Sequence, residues 1–159
     1  MFTSLAHTAV CVPDAEEAVR WYRDVLGLTV IWPPVLVEGA DMEADMGELL
    51  PAPAAVNGAI LGVGDGGDRV IEVIEYPNAP GRPKREDAAM TDHGWSHVGI
   101  VCDDIAATRA ELEGKGVRFL VSGIAEIVGL KTTWLADPWG NVFILMEKSK
   151  PGKPYYGQY

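Results

Sequence analysis

Cysteine is scarce in this sequence: 159 residues contain only Cys11 and Cys102. Two cysteines are too few for the disulfide framework of a small secreted domain. No apolar run approaches the roughly 18 residues that a membrane-spanning helix needs. The first residues also lack the basic start and long apolar stretch of a signal peptide. We therefore expect a cytoplasmic protein with no membrane partner.

Basic residues are also in short supply. Lysine and arginine number 13 against 23 aspartates and glutamates, which gives a formal net charge of −10. Nucleic-acid-binding proteins usually carry a basic patch, so we expect no nucleic-acid partner and no affinity for an anionic membrane surface. The length suits one domain or two small modules that share a core.

The stretch Val70–Tyr76 predicts a β-strand, because branched apolar residues fill it and Pro77 follows. Side chains of a strand alternate between its faces, which puts Glu72 on the same face as Val70 and Ile74. An unpaired carboxylate on a buried apolar face is costly. The pattern therefore predicts a cation, a hydrogen-bond donor or a metal opposite Glu72.

The rest of the first half predicts further strands around a helix. Asp14 is an expected helix N-cap and Gly27 an expected stop. The pair Pro33-Pro34 should end the second strand. The Met42/Met46/Leu49 stripe of a short helix favours core packing, with a lid over a cleft as the functional alternative. The expected strands are residues 5–12, 28–32, 59–63 and 70–76, and the short helix is residues 41–50.

The second half repeats the pattern of the first. Asp104 follows His97 at the spacing at which Asp14 follows His7. Aligning the closing strands places Ile144 at the position of Glu72, and Glu147 at that of Glu75. Such internal duplication is a fold-level signal. It divides the chain into a first βαβββ module (1–76, with an insertion at 35–57), a linker (77–94), a second βαβββ module (95–147) and a tail (148–159).

Several motifs together resemble the vicinal oxygen chelate superfamily, the glyoxalase, bleomycin resistance protein and extradiol dioxygenase type. They are His7 before Pro13-Asp14, the helix end Trp21–Leu28, His97 before Asp103-Asp104, and the turn Asp137–Asn141. The resemblance implies an α+β glyoxalase-like fold, in which two βαβββ modules form a paired, open-barrel-like sheet cleft. It also implies a small-molecule substrate and a homodimer.

By position, the resemblance implies metal ligands at His7, Glu72 and His97, with Ile144 at the fourth position. Two histidines and one carboxylate suit a divalent Fe, Mn, Co, Ni or Zn ion. Glu147 aligns with Glu75 instead, so we expect both at strand ends, solvated or paired with basic groups. Only a β-bulge would turn Glu147 inward as a substitute ligand.

Three functions stay open at the level of the sequence. The first is enediolate-stabilised proton transfer (epimerase, isomerase or lyase chemistry) with Glu72 as the catalytic base, which resembles the branch that includes a cyclitol epimerase. The second is an Fe(II) extradiol-type dioxygenase, for which His93 is the only histidine left as an acid or base. The third is a metal-free drug- or metabolite-binding protein, in which His7, Glu72 and His97 form a hydrogen-bonded network.

Overall fold

The fold is described from a computed structural model that covers residues 5–64, 69–83 and 89–158. The chain divides into two compact units, Met1–Pro83 and Lys84–Tyr159, and each is an α+β unit. Residues 84–88 of the expected linker, and residues 65–68 before the Glu72 strand, lie outside the described residues.

Unit one is a four-stranded sheet with one main helix. The elements are β1 (His7–Cys11), α1 (Ala15–Asp24), β2 (Thr29–Glu38), α2 (Ala40–Met46), β3 (Ala55–Gly62) and β4 (Val70–Glu75). The strand order is β1-β4-β3-β2. Strand β1 pairs with β4 in parallel, and the other neighbours are antiparallel.

The core of unit one lies between α1 and one face of the sheet. Ala18 and Tyr22 of α1 are fully buried, as are Leu61 of β3 and Val73 of β4. The helix starts where the sequence predicts, because the Asp14 carboxylate accepts a hydrogen bond of 2.8 Å from the Glu17 backbone N–H. Such a cap is worth about 1 kcal/mol. The opposite face of the sheet, which carries Glu72, is left free of α1.

Unit two repeats this arrangement with one additional strand. The elements are β5 (Val98–Cys102), α3 (Ile105–Gly114), β6 (Arg118–Phe119), β7 (Ala125–Ile127), β8 (Leu130–Ala136) and β9 (Val142–Lys148). The strand order is β5-β9-β8-β6, and β7 pairs with the other part of β8. Strands β5 and β9 are parallel, as β1 and β4 are in unit one.

Two acidic side chains organise unit two. Asp104 caps α3 by accepting a hydrogen bond from the Ala107 backbone N–H, as the repeat predicts. Asp137, only 2% exposed, accepts hydrogen bonds from the backbone N–H groups of Trp139 and Asn141 and from the Asn141 side chain. These bonds hold the predicted turn between β8 and β9 in place.

The expected end of the second strand at Pro33-Pro34 is wrong, because β2 continues to Glu38. Strand β2 lies at the edge of its sheet, and its register against β3 shifts on both sides of Trp32. Prolines, which lack a backbone N–H, are tolerated at edges and bulges.

The core-packing interpretation of the short helix is also wrong. Helix α2 contains no buried residue, Met42 and Met46 are half-buried, and Leu49 is 75% exposed. The helix in the structure ends at Met46 and is therefore shorter than the expected helix of residues 41–50. The lid alternative stays a prediction.

The C-terminal segment folds back onto unit two. Its Gln158 side chain is 2% exposed and bonds both the N–H and the carbonyl of Lys150. Among the helices of the described ranges, none has the length and apolar character required to cross a bilayer.

Candidate functional site

His7 is the group that lies opposite Glu72. Its Nε2 is 3.1 Å from Glu72 Oε2, and the two side chains are 51% and 31% exposed. Glu72 is therefore half-exposed, not buried as the apolar strand pattern indicates. Both groups remain accessible to a small molecule from solvent.

The register of the parallel strands explains this contact. His7 pairs with Val70, and Ala9 pairs with Glu72, so the two side chains occupy diagonal positions on one face. Long side chains reach each other across such a diagonal.

Tyr76, directly after β4, is a neighbour that the sequence analysis does not single out as a site residue. Burial raises the pKa of its phenol above the ordinary 10.0, and the charges of Cys11 and Glu72 raise it further. Tyr76 thus keeps its proton at neutral pH and is an O–H donor beside Glu72. The signal for it lies in the strand alternation, because residue 76 shares the face of residue 72.

The His7–Glu72 pair fits part of a metal site. An imidazole nitrogen and a carboxylate oxygen converge from neighbouring strands, and both are ligands that divalent transition metals accept. Within the described part of unit one, no third His, Cys, Asp or Glu joins them to complete a ligand group.

His97 lies directly before β5 in unit two. Its Nδ1 is 2.5 Å from the Ser96 hydroxyl oxygen, and its ring meets the Trp134 indole edge-to-face at a centroid distance of 4.8 Å. The serine contact occupies Nδ1, so Nε2 is the nitrogen left for a ligand. In the tautomer that suits a metal, Nδ1–H donates to Ser96.

The strand alignment of the two units is confirmed by the register. Ile144 pairs with Gly99 as Glu72 pairs with Ala9. Ile144 therefore stands at the position of Glu72, and unit two has one candidate ligand where unit one has two.

Glu147 anchors a helix instead of turning toward the position of Ile144. It accepts a hydrogen bond of 2.9 Å from the Ile105 backbone N–H and one of 2.6 Å from Lys131 Nζ. Glu75 does the equivalent in unit one, where it accepts from the Ala15 backbone N–H and from Asn57. Strand β9 pairs with both neighbours in unbroken register, so no bulge redirects Glu147.

A pocket of about 280 Å³ opens beside Trp134 in unit two. The loop and strand residues 121–125 line it together with Thr132 and Trp134, and none of these residues is charged. Trp134 therefore contacts His97 and lines the pocket at the same time.

Arg109 holds the wall of this pocket from behind. Its guanidinium donates to the carbonyls of Val121 and Gly123 and to the Thr133 hydroxyl, and it lies over the Phe119 ring. The fully buried Thr133 hydroxyl also donates to the Gly123 carbonyl. A planar donor fork with several fixed acceptors makes the wall rigid.

The sequence matches one family model and is similar to two known proteins. The family model of the glyoxalase/bleomycin resistance protein/dioxygenase superfamily matches residues 4–145. A 2-epi-5-epi-valiolone epimerase from Actinomyces sp is 29% identical over 141 residues, which cover 84% of this chain and 73% of that enzyme. The Escherichia coli K12 protein YaeR is 25% identical over 142 residues, which cover 89% of this chain and 94% of YaeR.

Solved structures agree on the fold. A glyoxalase family protein from Bacillus cereus superposes with a TM-score of 0.78 at 17% identity, covering 93% of this chain and 95% of that one. At this identity the likeness establishes a glyoxalase-like fold and leaves the reaction to be argued from the site.

Proposed function

Because the chain belongs to the glyoxalase/bleomycin resistance protein/dioxygenase superfamily, we propose that it is a metal-dependent enzyme of the vicinal oxygen chelate type. The proposed ligands of the divalent ion (Fe, Mn, Co, Ni or Zn) are His7, Glu72 and His97. The observation that carries the proposal is the 3.1 Å convergence of His7 Nε2 and Glu72 Oε2 on an accessible sheet face. His97 is included because its position in the sequence matches a metal-ligand position of the superfamily.

The proposed reaction moves a proton at a carbon next to a carbonyl, as in an epimerase, isomerase or lyase. When bound, a divalent cation supplies positive charge that stabilises an enediolate. Glu72 is the proposed base: its carboxylate would leave the metal and take the proton from carbon. A proton delivered from solvent to the opposite face of the same carbon would complete an epimerisation, so one C–H bond breaks, another forms and no oxidation state changes. Tyr76, whose raised pKa keeps the phenol protonated, is available as a hydrogen-bond donor to a substrate oxygen.

The name of the Actinomyces relative, 2-epi-5-epi-valiolone epimerase, supports the epimerase branch. We expect a small hydroxylated ketone as the substrate and a cytoplasmic homodimer as the working form. An Fe(II) extradiol dioxygenase is the alternative that the same three ligands allow.

The first prediction concerns Glu72. Glu72→Gln removes a charged ligand, so we expect metal occupancy at least tenfold below wild type, measured by elemental analysis of untagged protein purified without chelator. Exchange of deuterium from D₂O into 2-epi-5-epi-valiolone, followed by NMR, reports proton transfer and should fall by at least a hundredfold, the size of effect expected for a general base.

Glu75→Gln is the matched control on the same strand, because Glu75 faces the start of α1. It should keep wild-type metal content. Equal occupancy in wild type and Glu72→Gln would remove Glu72 from the site. About one iron per chain, with oxygen uptake on catechol, would move the function to the dioxygenase.

One observation favours a metal-free binding protein as a second candidate. His7 and Glu72 already satisfy each other directly, and unit one supplies no third ligand from its described residues. Protein that takes up none of Fe, Mn, Co, Ni or Zn, but binds an unaltered small molecule tightly, would establish this candidate.

A further inference from the structure

The pocket beside Trp134 has the size of a subsite for one ring. Its volume of about 280 Å³ lies just below the roughly 300–1,000 Å³ typical of small-molecule sites. The pocket is open to solvent, so this volume describes the part of a ligand that lies inside it. A single six-membered ring with its substituents is in proportion to it.

The chemistry of the lining selects an uncharged, hydroxylated ligand. Trp134 offers a flat aromatic surface, and Ser122 and Thr132 contribute hydroxyls that both donate and accept hydrogen bonds. A charged group in this pocket would find no opposite charge among the lining residues. The Arg109 guanidinium behind the wall is already engaged by loop carbonyls, Thr133 and Glu113.

The pocket wall is fixed before any ligand arrives. Arg109 bonds the carbonyls of both Val121 and Gly123, and its side chain is only 12% exposed. A preorganised wall spares the ligand the entropic cost of ordering the loop. The edge-to-face contact between Trp134 and His97 places this wall beside a candidate ligand of the proposed metal.

We propose that this pocket is the subsite for the body of the substrate, and that it takes an uncharged hydroxylated six-membered ring against Trp134. This subsite proposal rests on the proposed function for the statement that the bound ring is a substrate. The binding of the ring does not depend on the proposed reaction. Two sources share this chemistry, a saturated polyol ring and a catechol, and they correspond to the epimerase and dioxygenase branches.

The test is an NMR titration of the full chain with myo-inositol and, separately, with catechol. It is run in the presence of a chelator, so that binding is scored without metal. We expect saturable shifts of the Trp134 indole N–H and of the His97 ring with one of the two probes. Glucose 6-phosphate, a charged ring, should bind at least tenfold more weakly than the preferred probe.

Ala125→Phe fills the pocket from β7 and should weaken binding at least tenfold. Ile127→Phe places the same phenyl ring on the same strand outside the pocket lining and should leave binding unchanged. Ser122→Ala, on an exposed loop, should weaken binding about fivefold if its hydroxyl contacts the ring, and it guards against misfolding of the filled variant. Amide spectra of each variant report the fold.

The outcomes separate this proposal from the proposed function. Ring binding that Ala125→Phe abolishes, in protein that takes up no metal, would sustain the subsite while the enzyme proposal fails. Metal uptake through Glu72, with no Trp134 shift by either ring, would overturn the subsite while the metal site stands. Binding that Ala125→Phe and Ser122→Ala both leave unchanged would overturn it as well.

Discussion

At the residue scale, one carboxylate at the end of each closing strand holds a helix in place. Glu147 is the clearer case, since it accepts from the Ile105 backbone N–H at the start of α3 and from Lys131. The backbone N–H and then the lysine lower the pKa of the Glu147 carboxyl below its ordinary 4.5. The hydrogen bond from Lys131 to Glu147 also raises the pKa of the Lys131 ammonium group above its ordinary value.

These shifts predict an acid-sensitive contribution to stability. A lowered folded-state pKa means that Glu147 stabilises the fold above pH 4.5, and that this contribution is lost as the pH falls through its folded-state pKa. Glu147→Gln should therefore lower the unfolding free energy at pH 7 and flatten its decline below pH 4.5. Urea unfolding at several pH values measures both, and parallel acid limbs for the two proteins would contradict the assignment.

The sequence shows that Glu72 is a carboxylate on an apolar strand face and needs a partner, but only the strand register identifies that partner. Alternation on β4 predicts that a group lies opposite Glu72, and the parallel pairing of β1 brings His7 there. The full three-ligand set stays a prediction. The strand alternation also puts Tyr76 on the face of Glu72, whereas the Ser96–His97 contact depends on local backbone geometry, which residue types alone do not specify.

At the element scale, the hairpin between β7 and β8 contains a conformational conflict. Ile127 pairs with Leu130, so Val128 and Gly129 form a two-residue turn, and both have positive φ, 41° and 77°. Such turns favour Asn-Gly, because a branched residue is strained at positive φ. The backbone at Val128 is thus held against its local preference.

Val128→Asn should relieve this strain and raise the unfolding free energy by about 1 kcal/mol. Val128 is 55% exposed, so the substitution removes little packing. Val128→Thr is the control, since threonine is also branched and should give no gain. Thermal unfolding of the three proteins makes the comparison, and equal stabilities would show that the turn is not strained.

Elements with strong local signals are predicted well, and those defined by tertiary pairing are not. The helix caps Asp14 and Asp104 can be predicted from the sequence, because the start of a helix depends on residues that are close together in the chain. The continuation of β2 past two prolines depends on its edge position, and β7 exists through its pairing with β8. Neither is visible in a short window of sequence.

At the scale of the whole molecule, the two units share a plan but differ in their donor groups. The equivalent of Glu72 in unit two is Ile144, opposite Gly99 and across from Trp134. His7 and Glu72 belong to unit one, and His97 belongs to unit two. The pocket with its Trp134 wall belongs to unit two alone.

Ile144→Glu should restore the missing donor, because the register places residue 144 relative to His97 as Glu72 stands relative to His7. We expect a change in metal preference or a tenfold gain in metal affinity, measured by calorimetry with Zn²⁺ and Mn²⁺. Ile144→Gln has the same size without the charge and should show neither effect. Unchanged binding by Ile144→Glu would mean that residue 144 does not face the metal.

The anchoring carboxylates also set an order in time. Glu75 follows the α1 N–H that it binds by 60 residues, and Glu147 follows its partner in α3 by 42. At a synthesis rate of about 5–20 residues per second, α1 would wait about 3–12 s for its carboxylate. During that interval the apolar face of α1 is exposed on the nascent chain, because the sheet that covers it is incomplete. We expect a chaperone to bind the nascent chain in this interval.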